Sequence, residues 1–151
     1  MAGACNMKAI IKIFIVMLFA TLACPASADL GGEPEKFAHA SATTVTQQPG
    51  YSVRTTTLST GTEVHEYVSD QGIVFAVSWQ GPFKPNLRKL LGRHFGKIAN
   101  HEGRKAKSSR SQKELKDSEV VIRTSGHMRA YEGQAWLPSQ FPAGFSEENI
   151  T

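Results

Sequence analysis

The chain has 151 residues, enough for one domain and too few for two ordinary ones. Hydrophobic residues make up 40% of it and charged residues 20%, which excludes an obvious disordered chain and a polytopic membrane protein; 13 Gly and 7 Pro exclude collagen-like order. The formal net charge is +4, and its distribution along the chain is more informative than its sum.

Lys8 and Lys12 precede the most apolar stretch, Ile13 to Ala20, and Pro25 then breaks any helix before Ala26-Ser27-Ala28. Basic residues, an apolar run and a small-residue pair in that order read as an export signal over residues 1–28, cleaved after Ala28. The run is shorter than the roughly 20 apolar residues of a membrane span, so no transmembrane span is expected after cleavage. The expected location is periplasmic or secreted. Thr21-Leu22-Ala23-Cys24 offers an alternative, a lipid anchor at Cys24. Cleavage removes Cys5 and Cys24, so the mature chain holds no disulfide and must be stabilised by an apolar core.

Residues 29–50 carry Gly31-Gly32, Pro34, several Ser and Thr, and Pro49-Gly50, and read as a flexible N-terminal arm with Phe37 as its one large apolar anchor. The single domain is expected over 51–151. Tyr51 to Leu58 alternates and is Thr-rich, which suits a strand. Thr62 to Val68 is a second strand, with Val64, Glu66 and Val68 on one face and Glu63, His65 and Tyr67 on the other. Ser69-Asp70-Gln71-Gly72 is a hairpin loop. Ile73 to Trp79 is apolar nearly throughout and is expected to be central. Leu87, Leu90, Leu91, His94, Phe95 and Ile98 recur at helical spacing behind Pro85-Asn86, which suit a first turn or cap. Gly92 and Gly96 lie on one side of this helix and read as a close approach to the sheet. His101 to Lys116 is polar and basic and reads as a mobile loop. Glu119 to Thr124 is a fourth strand, Ser125-Gly126 a turn, and His127 to Trp136 a fifth strand; Ser146-Glu147-Glu148 suit a final helical turn. The order β-β-β-α-β-β predicts an α+β domain, an antiparallel meander with one amphipathic helix packed on one face.

Charge is segregated. Between Lys84 and Lys116 there are eleven basic residues against Glu102 and Glu114, while the rest of the presumed mature chain is acidic. Lys89, Arg93 and Lys97 step by four along the helix and continue into Arg104, Lys105 and Lys107. This pattern predicts contact with an anionic surface: anionic lipid, lipopolysaccharide or acidic polysaccharide. Nucleic acid is not expected, because the basic loop has no aromatic side chain to stack on bases. The plain alternative is a solvated helix face.

Catalytic and cofactor motifs are absent from the sequence. There is no H-E-x-x-H, no G-x-S-x-G, no phosphate-binding glycine loop and no cysteine after Ala28, so neither metal nor cofactor is expected. The one constellation that suits a hydrolase is His65 with His127 and Glu132, provided their strands share a face. Trp79 and Trp136 each end a strand and read as core plugs.

Glu66-Tyr67-Val68, Gly72 through Pro82, Leu90-Leu91-Gly92 with Phe95, Ser125 through Ala130, and Gly133 through Pro138 together resemble an uncharacterised exported proteobacterial family, domain of unknown function twenty-eight forty-four. Leu30-Gly31-Gly32 fits the same resemblance. It implies a Gram-negative source and export, and no activity. The functional expectation is therefore a small exported, non-catalytic binding or envelope-associated protein, with the hydrolase reading as the alternative.

Overall fold

The computed structural model describes residues 29–104 and 112–151. Seven strands form one antiparallel sheet: β1 (Ala40–Gln48), β2 (Tyr51–Leu58), β3 (Glu63–Ser69), β4 (Val74–Gly81), β5 (Gln112–Lys116), β6 (Val121–His127) and β7 (Ala130–Trp136). Their spatial order is β1-β2-β3-β4-β7-β6-β5. Two meanders thus meet at the β4–β7 pair. The helical segment between them carries the chain to the far edge, and β6 and β7 work back to the centre. The α+β class holds, with two strands more than the periodicity predicts.

The helical segment consists of α1 (Leu87–Leu91), a single 3-10 turn (Gly92–His94) and α2 (Phe95–Arg104). Asn86 caps α1, its side chain accepting from the Lys89 N–H. Leu90 and Leu91 are buried against the sheet, with Leu87, Phe95 and Ile98 packed beside them. The break at Gly92 has a local cause. Its φ is 48°, and a Cβ there would overlap the Asp29 side chain. Gly92 therefore admits the N-terminal segment rather than the sheet, and Gly96 faces open space.

Strand alternation gives the sheet two different faces. On the inner face Val64, Val77, Trp79, Ile122 and Ala135 pack against the helical segment and Leu30. On the outer face Tyr67, Phe75 and Trp136 pack against Phe145 and Ile150 of the C-terminal segment. Phe75 and Phe145 meet edge-on at 4.8 Å, Phe141 and Phe145 at 4.9 Å, and Tyr51 and Phe145 at 5.1 Å. Each such contact contributes about 0.5–1.5 kcal/mol beyond its buried area. The two tryptophans are core residues on opposite faces, 3% and 2% exposed, and share no surface.

The expected arm is structured in two places. Leu30 is fully buried, its N–H donating to the Leu90 carbonyl, and Gly31 and Gly32 exchange main-chain bonds with Val74. Residues 40–48 form β1, joined to β2 across Pro49-Gly50, with Gly50 at φ 82°. Within the expected mobile loop, 101–104 end α2 and 112–116 form β5. The turn between the last two strands also moves. β6 runs on to His127, and the chain reverses at Met128-Arg129, with Arg129 at φ 65°. Gly126 stays in the ladder opposite Tyr131, where a Cβ would press on the Tyr131 backbone.

Candidate functional site

One row of outer-face residues crosses every strand. Register pairs Thr44 with Thr55, Thr55 with His65, His65 with Ser78, Ser78 with Gln134, Gln134 with Arg123, and Arg123 with Glu114. The next row toward the Gly81 end of β4 is Gln80, Glu132 and Ser125. Toward the other end the row is Val53, Tyr67, Ala76, Trp136 and Val121, and Phe145 and Ile150 cover part of it. The outer face is therefore half apolar and roofed, half polar and open. The open half is a groove of about 600 Å³ lined by side chains of β3, β4, β5, β6 and β7, within the size range of ligand clefts.

Several polar side chains of the groove have defined partners. His65 Nδ1 lies 3.0 Å from Thr55 Oγ1. Arg123 donates to Glu114 at 2.8 Å, approaches Glu147 at 3.8 Å and lies 4.9 Å from the Trp136 ring. The Arg123 guanidinium, with Lys116 beside it, holds the Glu114 carboxyl below its ordinary range. Ser125 donates to Glu132. Residues 150 and 151 form one wall. Ser78 Oγ donates to the Thr151 carbonyl at 2.5 Å, the Thr151 N–H donates to the Tyr67 hydroxyl at 2.9 Å, and Gln134 Nε2 donates to the Ile150 carbonyl at 3.0 Å.

Of the three residues singled out for hydrolysis, His65 and Glu132 line this groove and His127 does not. His127 is exposed at the hairpin end, two residue pairs beyond Ser125. His65 and Glu132 are two strands and one row apart, about 12 Å at ordinary sheet spacings. The partner of His65 is a threonine and not a carboxylate.

The basic residues are distributed differently from the helical projection. Lys97 is gripped by Asp117 at 2.5 Å and Glu119 at 2.8 Å, which raises its pKa and lowers theirs. Lys89 is 3.6 Å from Glu35 and half exposed. Arg93 is exposed and donates to His94 Nε2 at 3.3 Å. Arg104 ends α2, while Lys105 and Lys107 lie outside the described residues. The export signal and Cys24 also lie outside them. No helix among the described residues is long and apolar enough to cross a membrane.

A second chemically unusual group lies on the inner face. Glu66 is 1% exposed; its Oε1 accepts from the Glu35 N–H at 2.7 Å, and its Oε2 is 3.7 Å from Arg54. Burial pushes its pKa up to about 7 against the opposing pull of the Glu35 N–H and Arg54. The contacts tie residues 29–37 to β3. His94 is also buried, and burial together with Arg93 and Lys97 lowers its pKa. The groove residues Ser78 and Gln134 were missed because nothing local marks either position as part of a site; only cross-strand register brings them together.

A family model described as "Protein of unknown function (DUF2844)" matches residues 26–150. No curated protein and no solved structure matches the chain.

Proposed function

The chain belongs to the DUF2844 family, whose description assigns no activity, and from the geometry we propose that it is a non-catalytic binding protein whose site is the outer-face groove. The observation that carries this reading is the uncovered polar half of a face whose apolar half is roofed. Hydroxyl, amide, guanidinium and carboxylate groups from five strands are held on a rigid sheet, the arrangement that recognises a ligand rich in hydrogen-bonding groups. The hydrolase alternative has less support, since His65 is paired with Thr55, Glu132 accepts from Ser125, and the Ser78 hydroxyl is already engaged. The order of features in residues 1–28 supports export, so the ligand is sought in the envelope or outside the cell.

Contact with an anionic surface is a second reading, favoured by the exposure of both Lys89 and Arg93 in the helical segment. It has less support than the groove because Lys97 is committed to Asp117 and Glu119.

Calorimetric titration with soluble muropeptides, oligosaccharides and short peptides tests the groove. At least one class is expected to bind, and Gln80→Ala with Glu132→Ala should weaken it at least tenfold while leaving the fold intact. Binding indifferent to that double variant, and abolished instead by Lys89→Ala with Arg93→Ala, would favour the basic reading.

A further inference from the structure

We infer that the free edge of β1 is a pairing surface for a second copy of this chain, joined antiparallel about a two-fold axis at Val45. This surface is an edge of the sheet, separate from the groove, and its pairing does not depend on what the groove binds.

β1 ends the sheet, and no described strand lies beyond it. Alternate residues of an edge strand turn their N–H and carbonyl groups outward, where another strand can take them. Edges are ordinarily guarded by shortness, charge, proline or a bulge. The opposite edge follows that rule: β5 has five residues and carries Lys113, Glu114 and Lys116. β1 does not. It is the longest of the described strands, nine residues without a charged side chain or a proline. Its one irregularity falls at its start, between Ala40 and Ala42, and leaves seven consecutive register pairs from Ala42 to Gln48. Every residue of β1 is exposed, so its order rests chiefly on main-chain bonds to β2. Backbone ordering costs about 1–2 kcal/mol per residue, and β1 offsets it with little side-chain burial. A strand on the free edge would supply both further hydrogen bonds and burial.

The regular stretch is self-complementary. Its midpoint is Val45, a large apolar side chain left 54% exposed. A two-fold axis there sets Val45 opposite its own copy, Thr44 opposite Thr46, Thr43 opposite Gln47 and Ala42 opposite Gln48. Both members of each pair lie on the same face of the joined sheet, and no like charges meet. Thr–Thr pairs are among those that stabilise antiparallel strands, and the valine pair removes apolar surface from water. Because one edge meets itself, the contact closes at two copies. Pairing of β1 with β5 would instead run on head to tail, and the short, charged β5 guards against it. The contact is one strand deep and about 24 Å long. It belongs with the smaller interfaces, so the dimer should dissociate on dilution.

Sedimentation of the purified protein between about 1 μM and 1 mM, the range in which a small interface dissociates, tests the pairing. The measured mass is expected to rise with concentration toward that of two chains. Val45→Lys and Val45→Asp should each weaken the dimer about tenfold, because the two-fold axis sets like charges face to face. A mixture of the two variants should restore it, since the charges then oppose in sign. Both substitutions fall on an exposed position, so circular dichroism and the thermal midpoint should stay as in the parent. The mass of one chain at every concentration would overturn the pairing. A dimer indifferent to both charges would overturn the β1 edge as its site. Weakening by each variant without rescue in the mixture would overturn the two-fold axis at Val45, and growth beyond two copies would overturn closure.

Discussion

Glu66 is the residue at which the energetics are most sensitive to pH. Its folded pKa, about 7, lies above the ordinary carboxylate value, so the folded state holds this proton more tightly than the unfolded state. The associated stability is fully present below about pH 4.5 and is lost as pH rises through 7, about 3 kcal/mol in all. His94 acts with the opposite sign. Its lowered pKa adds stability above its ordinary value that is lost as pH falls. Comparison of the parent with Glu66→Gln isolates the first effect: between pH 5 and 8, urea unfolding should show the parent losing about 3 kcal/mol relative to the variant. Parallel profiles would show that Glu66 is ionised throughout. Arg129 gives a second residue-scale test. It adopts a left-handed conformation in the β6–β7 turn that suits Gly. Arg129→Gly should therefore raise stability by about 1 kcal/mol in the same assay. Glu66 was legible in part. Alternation places it on the face of Val64 and Val68, and a carboxylate on an apolar row signals a buried partner. The identity of that partner, the Glu35 N–H 31 residues away, is a tertiary fact with no local pattern.

At the scale of elements, helical periodicity identified the inner-face stripe correctly. Leu91 is fully buried and Lys89 is not. Leu91→Ala should cost about 2–5 kcal/mol and Lys89→Ala less than about 0.5 kcal/mol in denaturant unfolding; equal costs would contradict the packing. Phe145 anchors the aromatic roof of the outer face, and Phe145→Ala should cost about 3–5 kcal/mol and loosen residues 141–151, seen as faster amide exchange there. The strands that escaped the sequence reading are the two at the sheet edges. β1 is exposed at every position, so neither face imposes hydropathic alternation on its Thr, Ala and Gln residues. What did signal it was Pro49-Gly50, a turn pair lying directly before a Thr-rich strand. β5 sits in a stretch whose charge masks its one apolar residue, Leu115. Gly133 is explained by its neighbour across the ladder. The Trp79 ring lies over it and would overlap a Cβ.

For the whole molecule, the decisive feature is unequal covering of one sheet. The helical segment and residues 29–37 close the inner face, and the C-terminal segment closes half of the outer one. The sequence showed that the central strands are buried and that one helix packs on them. It did not show the groove, because His65, Ser78, Gln134 and Arg123 are spread over nearly 70 residues and become neighbours only once β7 inserts beside β4. The same insertion sets β4 between His65 and Glu132, the two groove residues of the hydrolase alternative. The account makes the open half of the outer face the binding site, and the most direct measurement is an NMR map of amide shifts during titration with the soluble ligand class that binds in calorimetry. The account predicts shifts concentrated at Gln80, Ser125, Glu132 and Gln134, with the helical segment from Leu87 to Ile98 silent. Shifts confined to Lys89, Arg93 and their neighbours, with the groove silent, would contradict it.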